Sequence, residues 1–522
     1  MGREANIDSI RALDERIIKL KRTRNSLLNI SARMPPEILG CIFAWSLSRQ
    51  PSRSLYSPHF NGLPRGSYNF LLVCYHWFEV ASRTPELWTF WGSTLQDWKK
   101  QQHRSGVAPL ELVLDESEID PGVHFDESLH SAIRTRVMQD AIRQVHLRSD
   151  DDEIMTSIIF ALTPGDEDAQ NANIESIVWE NGGVPAVDIS NFFARSHLTR
   201  LRLLHLFGSF RISSWDCLAS RTTHLIGLSL QIDESPQSPI PTTSQLFSIL
   251  SSNPSLRQLV LSNAALPNDT YGSTLEMPLP NLKLLSLTGE FRPLLGLLRR
   301  LILPATLDTM DLTLFEPTME DISRTLGPYL RDHFRHDVRV PGGLVVSSSF
   351  ASSSIVTSVD TISTLPTIPA SVTVTAVLPI PHAVEQLLIN LIALIPGEYI
   401  VSFIAHSVSK LPEEAFFMMP NIEALHLSKV ELSEGFLQPN PDGPHANAKL
   451  LPSLESLCLE DITLNDDNWG HLTTYLVHQT SDNQVVSLKV TGSSPYIPPS
   501  VVNEIRELVG EFTITVPGSS NQ

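Results

Sequence analysis

Apolar residues recur along this chain with more than one period. Over residues 7–28, Ile10, Leu13, Ile17, Leu20 and Leu27 stand at spacings of 3, 4, 3 and 7, a heptad stripe interrupted by Arg24 that predicts an amphipathic helix. Such a stripe either packs on its own domain or joins two copies in a short coiled coil. A second helix is predicted to open at Pro35-Pro36, where a missing N–H donor costs nothing. Glu37 adds a carboxylate near its positive end. Ile38, Leu39, Ile42, Phe43, Trp45 and Leu47 then give an apolar surface wider than one core-facing stripe. Residues 48–68, rich in proline, glycine and serine, read as a loop. A third helix is predicted over Asn69–Ser82, stopped by Thr84-Pro85 and followed by "ELWTFW". So small a helical unit cannot cover that many large side chains, and the excess implies a partner.

From about residue 106 the period changes. Short pieces repeat the pattern L-x-x-L-x-L: "IRQVHL", "IESIVW", "LRLLHL", "LIGLSL", "LRQLVL", "LKLLSL", "LDTMDL", "IEALHL", "LESLCL" and "VVSLKV". Their fourth positions fall at 145, 177, 204, 228, 259, 285 and 310, then at 425, 457 and 488. Those steps match leucine-rich-repeat spacing with insertions and predict an α/β fold, an irregular horseshoe-shaped solenoid. The gap from 310 to 425 has room for about four more units, with "GGLVVSS", "SVTVTAVL" and "EYIVSFI" as candidates. A turn of the form P-[SN]-[LI] precedes several pieces, as in "NPSLRQL" and "LPSLESL". The template's asparagine is missing: Ala264, Val430 and Ile462 stand in its place. Residues 347–364, rich in serine and threonine, read as a low-complexity surface insertion. The expected organisation is a helix over 1–30, a helical domain over 31–105 with its loop at 48–68, repeats over 106–516, and a disordered tail at 517–522.

Within each piece the apolar positions point into the core and the residues between them face outward. The outward positions are His146, Val178, His205, Ser229, Val260, Ser286, Asp311, His426, Cys458 and Lys489. Of these, His146, His205, Ser229, Ser286, Asp311, His426 and Lys489 are the candidate substrate contacts.

Composition narrows the function. The 522 residues carry a net charge of −19 and are 42% hydrophobic, enough to bury a large core. Such acidity argues against nucleic-acid binding, which needs a positive footprint. Residues 1–30 run against it, with seven Lys/Arg and four Asp/Glu. The four cysteines form no C-x-x-C pair, which suggests a reducing, intracellular setting. No secretory h-region is visible at the N-terminus, and the longest apolar run, "LLINLIALI", is too short to span a bilayer.

Catalytic signatures are not found. The chain shows no phosphate loop, dinucleotide fingerprint or nucleophile elbow. His333 and His336 lack a third ligand nearby, and the acidic runs "SDDDE" and "LDESEID" lack the glycine and ligand order of a calcium loop. They read as solvated acidic loops. The expectation is a chain without enzymatic activity, metal or cofactor.

Residues 34–91 resemble an F-box, the helical module of SCF-type (Skp–cullin–F-box) ubiquitin ligases. The family pattern runs Leu-Pro-x-Glu-[Ile/Leu]-Leu, then Ile-Phe, then Val-Cys-x-x-Trp, then Leu-Trp. Met34-Pro35-Pro36-Glu37-Ile38-Leu39, Ile42-Phe43, Val73-Cys74-Tyr75-His76-Trp77 and Leu87-Trp88 stand in those places. Met34 replaces the usual leucine, His76 a usual basic residue, and the loop at 48–68 is longer than the common form. The resemblance covers about a tenth of the chain and implies an all-α module docking a Skp-type adaptor, and through it a cullin. It carries over Pro35, Ile38, Leu39, Ile42, Leu72, Val73, Trp77, Leu87 and Trp88 as adaptor contacts, and it implies that the repeats hold a protein substrate in the cytoplasm or nucleus. The alternative is a repeat-based interaction scaffold that binds no adaptor.

Overall fold

In nine of the ten L-x-x-L-x-L pieces the first apolar residue lies before the strand, at the turn that feeds it; in "IRQVHL" Ile142 already belongs to the strand. Leu201, Leu225, Leu256, Leu282 and Leu307 are all buried there. The strand itself begins about two residues later and continues past the last leucine. A computed structural model of the chain describes residues 13–24, 34–48, 73–91, 103–106, 108–116, 127–164, 173–183, 185–213, 215–233, 241–263, 266–267, 276–304, 307–315, 317, 324, 326–328, 343–351, 354–362, 371–379, 389–393, 400–408, 411, 414–430, 451–462, 466–479, 485–492 and 498–515. His333, His336 and Leu72 lie outside these residues. The chain divides into two units, Met1–Pro239 and Ile240–Gln522.

In the first unit, strands β1 (Phe90–Trp91), β2 (Leu110–Asp115), β3 (Ile142–Ser149), β4 (Ser176–Asn181), β5 (Leu203–Gly208) and β6 (Gly227–Ile232) form one parallel sheet in chain order. Register aligns Leu112, Val145, Ile177, Leu204 and Leu228 in one row, and Leu114, Leu147, Trp179, Leu206 and Leu230 in the next. Each of these ten is no more than 3% exposed, so one face of the sheet is a continuous apolar wall. Helices cover it. Helix Asp152–Leu162 contributes Met155, Ile158, Ile159 and Leu162, and helix Ser190–Arg195 contributes Phe192 and Phe193. Trp179 packs edge-on against Phe192, with ring centroids 5.0 Å apart.

The acidic runs do structural work at the start of the helix over Asp152–Leu162. The Asp151 carboxylate accepts from the backbone N–H of Glu153 at 2.9 Å and of Ile154 at 3.1 Å, an N-cap. Glu116, from the other run, accepts from the backbone N–H of Asp150 at 2.8 Å and of Asp151 at 3.1 Å. These carboxylates are therefore committed to satisfying backbone donors rather than simply solvated.

The second unit builds a longer sheet from β7 (Gln258–Asn263), β8 (Leu284–Glu290), β9 (Thr309–Phe315), β10 (Gly343–Ala351), β11 (Ser354–Ile362), β12 (Ser371–Pro379), β13 (Ser402–His406), β14 (Ala424–Ser428), β15 (Ser456–Glu460), β16 (Ser487–Thr491) and β17 (Glu511–Thr515). The spatial order is β7-β8-β9-β12-β11-β10-β13-β14-β15-β16-β17. All pairings are parallel except β12–β11 and β11–β10. Helix Thr243–Ser252 opens with a reciprocal capping box between Thr242 and Gln245 and buries Leu246, Phe247, Ile249 and Leu250.

This architecture corrects the expected leucine-rich-repeat solenoid headed by an all-α module. The chain forms an α/β structure with a large parallel sheet and helices. The helical segment does not end as a separate all-α piece, because Phe90 and Trp91 pair in parallel with Glu111 and Leu112 and so join the sheet. Residues 347–364 are not an irregular insertion. Residues 347–351 belong to β10 and residues 354–362 are β11; the two run antiparallel and place β12 beside β9, so chain order and spatial order diverge. The connecting helices also differ, from 4 residues at Glu414–Phe417 to 14 at Asp466–Gln479.

Candidate protein-interaction surfaces

Helix Pro36–Ser48, helix Tyr75–Ser82 and the short 3-10 turn Pro85–Trp88 pack around Leu39, Phe43, Val80, Ala81, Leu87 and Trp88. The Phe43 and Trp77 rings lie 5.0 Å apart, and the Trp88 indole N–H donates to the Ala81 carbonyl at 2.7 Å. Gly40 lets the first helix approach Thr84: a Cβ there would lie 3.0 Å from Thr84 Oγ1.

This core changes the assignment of the adaptor contacts. Leu39, Leu87 and Trp88 are 1%, 1% and 5% exposed and hold the hairpin together, so they are corrected from contacts to core. Trp77 is half-buried against that core. Pro35, Ile38, Ile42 and Val73 are exposed. Three aromatic residues join them that the motif did not single out: Trp45, Tyr75 and Phe78. Ile38, Ile42 and Trp45 stand at i, i+4 and i+7, one stripe of the first helix. Arg22, on the helix over 13–24, stacks 3.9 Å above the Tyr75 ring, and Arg104 lies 4.3 Å from the Trp88 ring. The helix over 13–24 leaves Leu13, Ile17 and Leu20 at 58%, 46% and 64% exposure, so its apolar stripe is not packed into its own unit.

On the sheet face opposite the leucine wall, the predicted outward positions do fall in register. His146, Val178, His205 and Ser229 form one row of the first unit. In the second, Val260, Ser286 and Asp311 align on β7–β9, and His426, Cys458 and Lys489 on β14–β16. Alignment does not make them all accessible. His205 and Ser229 are buried, which removes them from the set of surface contacts. Burial pushes the His205 imidazole down to about 4. Its Nδ1 has no hydrogen-bond partner among the described residues. His146 Nε2 lies 3.3 Å from Ser176 Oγ.

Neighbouring rows carry charges that the outward-position rule did not pick out. Asp115, Arg148 and Glu180 are consecutive in register, with Arg148 3.9 Å from Asp115 and 3.8 Å from Glu180. Burial raises the Glu180 pKa, opposed by Arg148 and reinforced by Asp115. Beside His426, Glu460 accepts at 3.2 Å from Nε2, and His406 Nδ1 lies 3.1 Å from Ser428 Oγ. The Ser428 hydroxyl holds the Glu460 carboxyl below its ordinary value against the opposing effect of burial, and His426 and His406 add to the lowering. Burial pushes the Cys458 thiol up, with Lys489 opposing. Arg148, Glu180, Ser428 and Glu460 each lie two residues from a predicted position, on the same side of a strand.

Among the described residues no group of three or more His, Cys, Asp or Glu is arranged to hold a metal ion. No described helix is long and apolar enough to cross a membrane. No model of a known protein family matches the chain, and no curated protein matches it significantly.

Proposed function

We propose that this chain is a substrate-recognition subunit of an SCF-type ubiquitin ligase. The helical hairpin docks a Skp-type adaptor, and through it a cullin, and the polar rows of the sheet receive a protein substrate. One observation carries this reading. A hairpin held by a six-residue core leaves Ile38, Ile42, Trp45, Val73, Tyr75 and Phe78 each between 40% and 54% exposed. Exposed clusters of that kind mark protein contacts, and aromatic anchors dominate their energy. The F-box-like motif lies across the same residues, which gives the surface an occupant.

The chain makes and breaks no bond in this scheme; it positions a substrate for transfer carried out by the assembly. Its four cysteines are all free, as suits the cytoplasm or nucleus, and its charge of −19 disfavours nucleic acid as the partner. The test is assembly. Purified full chain mixed with a Skp-type adaptor should co-elute in gel filtration, and Ile38→Asp with Ile42→Asp should abolish co-elution. No complex with the wild type would favour the adaptor-free scaffold instead.

A further inference from the structure

In the first unit the helices Glu127–Met138 and Asp152–Leu162 lie side by side. Both turn a full apolar stripe inward: Leu129, Ala132, Ile133 and Val137 from one, Met155, Ile158, Ile159 and Leu162 from the other. Two large apolar side chains break the rule. Met138 is 56% exposed and Phe160 is 65% exposed. Between them runs a groove of about 450 Å³ lined by His130, Ser131, Arg134, Thr135, Met138, Phe160 and Ala161. That volume lies in the range that holds a ligand or a side chain or two of a partner.

The electrostatics of the groove are opposite to those of the chain. Among the described residues no carboxylate lines it, whereas the chain as a whole carries −19. Its exposed cation is Arg134, whose guanidinium sits 4.8 Å from the centroid of the Phe160 ring. Stacking on an aromatic face fixes a guanidinium plane while leaving its N–H edge free to donate. A fixed fork of donors beside an apolar trough complements a carboxylate next to an apolar side chain.

We propose that this groove docks a short acidic peptide segment of a partner protein, with one apolar side chain seated between Met138 and Phe160 and a neighbouring carboxylate on Arg134. The site is separate from the hairpin, and it stands whether or not an adaptor binds there. The partner is a protein that exposes a linear Asp/Glu-flanked apolar motif.

A random peptide library displayed on phage and selected on the full chain tests this directly. Enriched peptides should place Asp or Glu beside Leu, Met or Phe. A synthetic copy of one, followed by fluorescence anisotropy, should bind at least about tenfold more weakly to Arg134→Glu, a change of about 1.4 kcal/mol. Phe160→Ser should weaken it comparably, and added salt should weaken it further. Both positions are exposed, so thermal unfolding by circular dichroism should match the wild type for each variant. No enriched peptide, enrichment without acidic residues, or an affinity indifferent to both substitutions in folded protein would each overturn the proposal.

Discussion

Leu39 and Ile38 are adjacent on one helix, and both were expected at the adaptor interface. The structure separates them: Leu39 is 1% exposed and Ile38 is 52% exposed. Leu39→Ala removes three carbon atoms from a core of six residues. At about 0.8 kcal/mol per methylene the transfer loss alone is about 2.4 kcal/mol. The cavity left behind adds to it, for a total of about 3 kcal/mol within the 2–5 kcal/mol typical of such changes. Ile38→Ala gives up about half of a comparable transfer term and regains helix propensity, so its net effect on stability should stay within about 0.5 kcal/mol. Hydrogen exchange of the amides in helix Pro36–Ser48 reads this locally. Protection should fall by roughly two orders of magnitude in Leu39→Ala, because each 1.4 kcal/mol is tenfold. In Ile38→Ala it should change by no more than about twofold to threefold. Equal losses in the two variants would refute the division of this helix into a core side and a docking side.

Two further outcomes follow from the sheet. Gly208 has φ +97°, and a Cβ there would lie 1.8 Å from the Asn181 carbonyl oxygen, so Gly208→Ala should cost about 2–4 kcal/mol in urea unfolding of the first unit. His205 titrates near 4 when folded, against an ordinary value of about 6.5, so the unfolded chain binds the extra proton between those values. Stability conferred by its neutral form is complete above pH ~6.5 and is lost as pH falls toward ~4. Lowering pH from 7.5 to 5 should cost the wild type about 2 kcal/mol more than His205→Leu, measured by urea unfolding at both values. Identical pH slopes would exclude His205 as the group responsible.

The sequence pattern located strands better than it located architecture. All ten L-x-x-L-x-L pieces contribute strands, because alternating apolar residues beside a polar row suit only one pairing register. The three weak candidates between 310 and 425 are strands as well, at Gly343–Ala351, Ser371–Pro379 and Ser402–His406. What the pattern concealed was β11. Its serines and threonines resemble low complexity, yet Ile355, Val356, Val359 and Ile362 are β-branched residues suited to a pleated strand. The antiparallel pairing that this strand makes depends on contacts between segments far apart in sequence, which local periodicity does not report. The repeat pattern also passes over β2 and β17, although "LELVLD" and "EFTIT" alternate like the rest.

At the hairpin, the pattern predicted helix Pro36–Ser48 and, of the helix expected over Asn69–Ser82, the part from Tyr75 onward, with Cys74 as its extended N-cap, but it could not tell core from surface. Leu39 and Ile42 look equivalent in the pattern and differ because Phe43, Val80, Leu87 and Trp88 converge on only one side of the helix. Burial likewise removed His205 and Ser229 from the sheet's accessible positions, while strand alternation, applied two residues further along, would have pointed to Glu180 and Glu460.

The most direct test of the account is calorimetric titration of a Skp-type adaptor into the full-length chain and into its Ile38→Asp, Ile42→Asp double variant. If the hairpin docks the adaptor, binding to the wild type is saturable and binding to the double variant is at least about a hundredfold weaker. Both chains should unfold at the same temperature. Equal affinity for the two, or no heat of binding to the wild type, would contradict it.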